Sequence, residues 1–465
     1  MKTNIFLIGF LCLVGMESLW GFQEPDTTVK ITDGSTPPGI LTEVKKQDTL
    51  QRKKPVREVL NNINWALDVL TFARQTEFAN ELGTLNPENR IARLNRYDGG
   101  VYIRPDLKYL SKQLSIWIKP RLNLDIDGDR GSFLNSGNVA SEFFFQELKA
   151  RWNFDKQFYL AAGRYLKVIG SSVFINPSNP FFIDPGRFNP KFEIRPMDFV
   201  EFNYSKGSWS FSLLANIHEA DTPIFEEPFF EFKKRFAFLA EYYGSAENLG
   251  AILSVDENQR THLGFYGQKN INEAVVAWID GSVEYKPNRF YPVRGHETGL
   301  IAYDMINGEA NEQLFLTTLV GASYTFSFGP TLQLEYFFNG KGYSDEEFET
   351  FQDMIASSVN YNFDATRLLS DRNLGRGINT GMPYLRRHYV FSQIGQNDLF
   401  DQLNFNVRYF YSFDDNSSQI SSLIEWNVTQ NLEIHSILLK NFGGRDTDFN
   451  RFLDHQFMFG FLLTL

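Results

Sequence analysis

The stretch QFMFGFLLTL, residues 456–465, carries no charge and alternates. Phe457, Phe459, Phe461, Leu463 and Leu465 fall on one parity, and Gln456, Met458, Gly460, Leu462 and Thr464 on the other. Successive side chains of a strand point to opposite faces, so a period of two predicts a β-strand with one very apolar face. Such a strand fits the core of a soluble sandwich as well as the lipid face of a closed barrel. The rest of the chain decides between them.

The 465 residues include 46 Phe and 20 Tyr. Mean hydropathy is −0.30. No apolar run reaches the length of about 18 residues that a spanning helix needs, which excludes a polytopic helical membrane protein. A transmembrane barrel is untouched by that test, because its strands hide their membrane affinity in alternation.

The N-terminus MKTNIFLIGFLCLVGMESLWGFQ places Lys2 before an apolar stretch from Ile5 to Met16 and then small and polar residues, the layout of a signal peptide over residues 1–21. The single cysteine, Cys12, lies inside it and lacks a lipobox. Export would leave no thiol, which rules out disulfides, thiolate metal sites and a cysteine nucleophile. Residues 22–60 are polar, contain prolines and lack a period, and read as a flexible periplasmic leader. The formal charge of −11 argues against nucleic acid as a partner.

Residues 61–465 are a succession of alternating segments. In LSIWIKPRLNLDI (114–126), Leu114, Ile116, Ile118, Leu122, Leu124 and Ile126 oppose Ser115, Lys119, Arg121, Asn123 and Asp125. WSFSLLAN (209–216), LQLEYF (332–337) and LNFNVRYF (403–410) repeat the pattern. Strands are expected near 62–75, 101–110, 114–126, 143–154, 157–165, 197–204, 208–216, 235–244, 249–255, 261–268, 275–286, 314–326, 331–339, 387–395, 403–412, 419–428, 431–440 and 455–465. The first is ambiguous, because VREVLNNINWALDVLTFAR (56–74) also spaces Val56, Leu60, Ile63, Leu67 and Leu70 as a helical stripe. Single-chain bacterial barrels have an even strand number, which favours the strand.

Alternate connections are short, as at 111–113, 155–156, 205–207, 245–248, 327–330 and 429–430. Most between them are long, notably 76–100, 127–142, 166–196, 217–234, 287–313 and 340–386. Short turns on one rim and long loops on the other predict a transmembrane antiparallel β-barrel of about 18 (or 16) strands, with periplasmic turns and extracellular loops, in the outer membrane of a Gram-negative bacterium. Its partners would be outer-membrane lipid and, through the aromatic C-terminal strand, the barrel-assembly machinery.

Three stretches, YIRPDLKYLSKQLSIWIKPRLNLDID (102–127), FFFQELKARWNFDKQFYLAAGRYLKVIGSSVFINPSNPF (143–181) and RHYVFSQIGQNDLFDQLNFNVRYF (387–410), resemble the alginate-export type of outer-membrane porin. The resemblance implies an 18-stranded monomeric channel with a basic lumen and loops folded into its mouth. Many lumen positions here are acidic, so the channel is carried over and the polyuronate substrate is not.

If the apolar parity faces lipid, the other lines a lumen. Lys119, Arg121, Lys149 and Arg151 then form a basic wall, and Asp280, Glu284 and Glu335 an acidic wall roughly opposite, with Arg408 also inward. Opposed walls of charge would set up a transverse field that orients charged or dipolar solutes. The loop SSVFINPSNPFFIDPGRFNPKFEIRP (171–196) carries Arg187, Lys191 and Arg195 among prolines and aromatics, a stiff composition suited either to an inward constriction or to a surface cap. In DIDGDRGSF (125–133), Asp125, Asp127 and Asp129 open like an EF-hand loop, but Arg130 and Ser136 fall where Gly and Glu are required.

The expected function is passive passage of a small polar or charged solute or oligosaccharide, with no catalytic residues and no cofactor. A structural or assembly role is the first alternative, with the leader docking a partner. A barrel hydrolase is the second: His435 shares a face with Glu433, but no serine motif accompanies them.

Overall fold

The computed structural model describes residues 62–79, 85–92, 94–128, 138–181, 190–194, 196–219, 232–295, 299–307, 313–360, 364–444, 447–451 and 453–465. The expected signal peptide and leader lie outside these residues. The strands are β1 (Ile63–Phe78), β2 (Tyr97–Leu110), β3 (Leu114–Gly128), β4 (Asn138–Asn153), β5 (Phe158–Tyr165), β6 (Met197–Lys206), β7 (Trp209–Glu219), β8 (Arg235–Tyr243), β9 (Glu247–Asp256), β10 (Thr261–Asn270), β11 (Val275–Tyr285), β12 (Phe290–Arg294), β13 (Tyr303–Asn307), β14 (Leu314–Thr325), β15 (Thr331–Asn339), β16 (His388–Leu399), β17 (Leu403–Ser412), β18 (Ser418–Asn427), β19 (Leu432–Phe442) and β20 (Leu453–Thr464).

All but β12 and β13 join one 18-stranded antiparallel sheet, and each of the expected strands has its counterpart there. The sheet closes on itself. Strand β20 pairs with β19 on one side and with β1 on the other. The last residue takes part, since Leu465 N donates to Leu67 O at 2.9 Å and Leu67 N to Leu465 O at 3.2 Å. Closure leaves no strand edge unpaired, which is the condition for a sheet in hydrocarbon. It also resolves the first segment as a strand: β1 must satisfy two neighbours at once, and a helix would satisfy neither.

Alternation separates the two faces. On β20, Phe457, Phe459 and Phe461 are 40–44% exposed, whereas Met458 between them is 1% exposed. The same holds around the barrel, with Leu213, Phe236, Leu253, Leu316 and Leu334 outside and Ser212, Ala237, Ile252, Thr317 and Glu335 inside. Trp65, Trp152, Trp209, Tyr324 and Trp426 are exposed near the short-turn ends of their strands, as an aromatic girdle at one membrane interface requires. The sheet keeps its faces through a bulge. Register shifts where Lys119 of β3 meets Glu147 of β4 and Pro120 meets Phe145, leaving Gln146 over. The extra residue lets β4 hold Phe143 outside before it and Leu148 and Trp152 outside after it.

On the opposite rim two connections are short, 257–260 and 413–417, and the others are long. Two of the long ones carry structure of their own. The β11–β14 connection contains the β12–β13 hairpin, and the β15–β16 connection contains helices α1 (Asp345–Asn360) and α2 (Asp364–Ile378). Helix α1 starts in a capping box: Glu347 N donates to Ser344 Oγ at 3.2 Å, and Ser344 N donates to Glu347 Oε2 at 2.8 Å. Phe351, Met354, Ile355 and Leu374 of the helices pack on Phe290 and Met305 of the hairpin and on Leu85 of the first loop. Inside this cap burial pushes the Tyr343 phenol up and holds the Arg289 guanidinium below its ordinary value. Arg90 pairs with Asp371 at 2.7 Å, joining the β1–β2 loop to α2 from six of the eighteen strands away. The cap therefore reaches across part of the mouth.

Candidate functional site in the barrel interior

The long β5–β6 connection folds into the barrel and is fastened to its far wall. Asp280 of β11 accepts Ser171 N at 2.9 Å, Ser178 N at 2.7 Å and Ser178 Oγ at 3.0 Å. Glu335 of β15 accepts Val173 N at 2.8 Å, Ser172 Oγ at 2.9 Å and Trp278 Nε1 at 2.7 Å. His262 Nε2 lies 3.0 Å from Pro177 O, and Arg235 Nη1 donates to Pro180 O at 3.1 Å. Between these anchors Phe174 and Ile175 enter a buried cluster with Trp278, Leu319, Phe337, Phe391 and Phe410. Phe174 meets Phe410 edge-on at 5.3 Å and Phe391 at 5.8 Å. Carboxylates bind the loop backbone while aromatics fill the gap beneath it, so this sector of the lumen is packed shut.

Glycines admit the loop. A Cβ on Gly264 would lie 2.3 Å from Ser178 O, and Gly170, at φ +120, has Asp280 Oδ2 only 2.5 Å from where its Cβ would be. Gly264→Val is therefore expected to push residues 171–181 off the β10 wall without touching lipid. The check is cleavage of the folded protein by an added protease within this segment, and equal resistance in parent and variant would refute it.

The returning arm, residues 190–194, is tied to the other side. Arg121 of β3 grips Glu193 with two hydrogen bonds, at 2.6 and 2.7 Å, and Asp106 at 2.9 Å. Lys191 pairs with Glu433 at 2.5 Å and with Glu425. Phe192 packs on Phe72 at 5.0 Å and Tyr102 at 5.7 Å. Gln146, the bulge residue, donates to Ile194 O at 2.6 Å. Buried pairs of this kind fix geometry more than they add stability. They hold the loop in one place.

Most of the charges expected to form two opposed walls are thus otherwise engaged. Asp280 and Glu335 face inward but are fully buried as loop anchors, and Glu284 is paired with Lys341 at 2.6 Å. On the basic side Arg121 holds the loop and Lys119 pairs with Glu147 at 2.8 Å. For Asp280, Glu335 and Arg121 the loop crossing the lumen supplies partners that parity alone does not reveal. Lys149 lies over Tyr165 at 3.9 Å, and Arg151 lies over Tyr159 at 3.8 Å and donates to Asn153 at 2.9 Å. Arg408 donates to Gln393 at 2.8 Å. Arg187 and Arg195 lie outside the described residues, as does Asp129. Asp125 accepts Tyr102 Oη at 2.7 Å. His435 sits 3.3 Å from Glu433, whose carboxylate also holds Lys191.

Open space remains on both sides of the loop. Toward the short turns a cavity of about 370 Å³ is lined by Lys149, Tyr159, Tyr165, Glu201, Asn203 and Glu241 among others. Toward the long-loop rim lie cavities of about 230 Å³, beside Asp256 and Arg260, and about 150 Å³, beside His262, Glu284 and Lys341. Arg235 lines both of the latter.

No protein-family model matches the chain, and no curated protein matches it by sequence. Solved structures do share its architecture. OccK2 (OpdF) of Pseudomonas aeruginosa superposes with a TM-score of 0.52 at 10% identity, over 87% of this chain and 98% of that one. OccAB1 of Acinetobacter baumannii gives 0.51 at 8% identity, over 87% and 97%. The likeness is one of fold: this chain is an outer-membrane-type β-barrel of eighteen strands.

Proposed function

We propose that the protein is a channel of the bacterial outer membrane through which a small polar solute passes passively, selected at the level of the inward β5–β6 loop. The observation that carries this reading is that loop, held across a polar barrel interior by Asp280, Glu335 and Arg121, with cavities on either side. A barrel serving only as an anchor has no need of an internal constriction. A channel does, since selectivity comes from the groups that line the narrowest section. The short turns then face the periplasm and the cap of α1, α2 and the β12–β13 hairpin faces outward. The same reading includes a signal peptide, a resemblance to alginate-export porins at the level of the barrel, a monomeric state and delivery by the assembly machinery, and it assigns no catalytic residue. Reconstituted in a planar bilayer, the protein is expected to give discrete conductance steps in KCl. Complete absence of conductance from folded, inserted protein would remove the channel reading.

A further inference from the structure

We infer that the cavity on the short-turn side of the loop is a binding site for a small zwitterion, with Lys149 reading its carboxylate and Glu241 its ammonium. Both residues line the same space, Lys149 from β4 and Glu241 from β8.

The charges around that space divide into one ion pair and two groups that have no direct ion-pair partner among the described residues. Lys167 and Glu201 form the pair at 2.7 Å, and Glu201 also accepts Tyr159 Oη and Tyr165 Oη, each at 2.9 Å, so its oxygens are filled. Lys149 differs. Its ammonium rests on the rings of Tyr165, at 3.9 Å, and Trp117, at 5.5 Å, and has no hydrogen-bond or ion-pair partner among the described residues. A ring face attracts the charge but accepts none of the three N–H groups directionally. Glu241 accepts Tyr266 Oη at 2.5 Å and is hydrogen-bonded by the Tyr243 hydroxyl as well, but has no cation paired with it among the described residues.

The cavity's two lysines and two glutamates therefore sum to zero, yet one cation, Lys149, and one anion, Glu241, have no ion-pair partner among the described residues. A simple anion would satisfy Lys149 and be repelled by Glu241, and a simple cation the reverse. A neutral polyol would leave both charges unanswered. Two of the tyrosine rings that line the cavity are covered by cations, Tyr165 by Lys149 and Tyr159 by Arg151 at 3.8 Å. A solute with one ammonium and one carboxylate answers both groups at once with charge-assisted hydrogen bonds. The volume, about 370 Å³, admits one of amino-acid size together with water.

This inference rests on the channel reading for the route by which solute arrives, but not for binding itself, and the test separates the two. Titration calorimetry on the folded full chain in detergent would compare L-glutamine, sorbitol and lactate. Saturable binding is expected for L-glutamine alone. Lys149→Met and Glu241→Gln should each weaken it about tenfold or more, the loss of one charge-assisted contact. Glu241→Gln should in addition acquire lactate binding, which a structural role for Glu241 would not produce. Absence of saturable L-glutamine binding to the parent, displacement of L-glutamine by sorbitol, or unchanged affinity in both variants would overturn the inference. Conductance in KCl measured on the same preparation keeps the readings apart. Conductance without binding removes the zwitterion site and leaves the channel, whereas binding without conductance does the opposite.

Discussion

Single-channel conductance is expected to rise severalfold when Asp280 and Glu335 are both replaced by alanine. The two carboxylates accept three backbone N–H groups from the loop, those of Ser171, Val173 and Ser178, at 2.7–2.9 Å, in addition to two serine hydroxyls. A hydrogen bond to a charged group contributes about 1.5–3 kcal/mol, and a buried N–H left without an acceptor costs about 1–3 kcal/mol. With the acceptors gone, the N–H groups of the seated loop would stay buried and unsatisfied. Holding a segment in place also costs about 1–2 kcal/mol of backbone entropy per residue. Both terms favour release into the water-filled lumen. The barrel does not share that fate, because its strands are held by their own ladders and by lipid. Asp280→Asn with Glu335→Gln keeps one acceptor oxygen in each side chain and should give an intermediate conductance. Unchanged conductance in a folded double alanine variant would show that the loop does not set the narrow section.

How much of this was legible beforehand follows from which forces act locally. Lipid imposes a rule on every strand, apolar outward at every second residue, so Phe457 to Leu465 and Leu114 to Ile126 announce their faces without knowledge of their neighbours. An even strand count favours β1 over the helical stripe, and pairing on both sides of that segment settles it. The interior obeys no such rule. Parity placed Asp280, Glu335 and Arg121 inside, but their partners, Ser171, Val173 and Glu193, come from a loop that crosses the lumen more than seventy residues away in sequence. Two signs of that crossing were present. Val173, Phe174 and Ile175 stand together between Ser171-Ser172 and Asn176-Pro177, and Gly264 occupies a lumen position where a strand former is ordinary. The helices of the cap are hidden for a different reason. Ser344 and Glu347 spell a capping box, but the length of the connection marks only the rim it lies on and says nothing of the helices it contains.

Adjacent residues of the closing strand should respond in opposite ways to one substitution. Phe461 faces outward, 42% exposed, between Thr71 of β1 and Ile434 of β19. Leu462 faces inward, opposite Leu70 of β1 and Glu433 of β19. Thr71 lies six residues from the girdle residue Trp65, about 20 Å along the strand at 3.3 Å per residue, and strand tilt brings that close to the bilayer midplane. Phe461→Arg therefore sets a guanidinium in hydrocarbon at a cost of about 2–4 kcal/mol and removes an aromatic ring from lipid as well. That burden falls on the seam where the barrel closes, so the expected result is loss of most of the heat-modifiable, membrane-inserted form. Leu462→Arg sends the same group into the polar interior beside Glu433, where an ion pair and water are both within reach, and most of the protein should still insert. The measurement is the folded fraction by semi-native electrophoresis after expression in a host that assembles outer-membrane barrels. Equal tolerance of both substitutions, or greater harm from Leu462→Arg, would mean that the lipid and lumen faces of the closing strand have been exchanged.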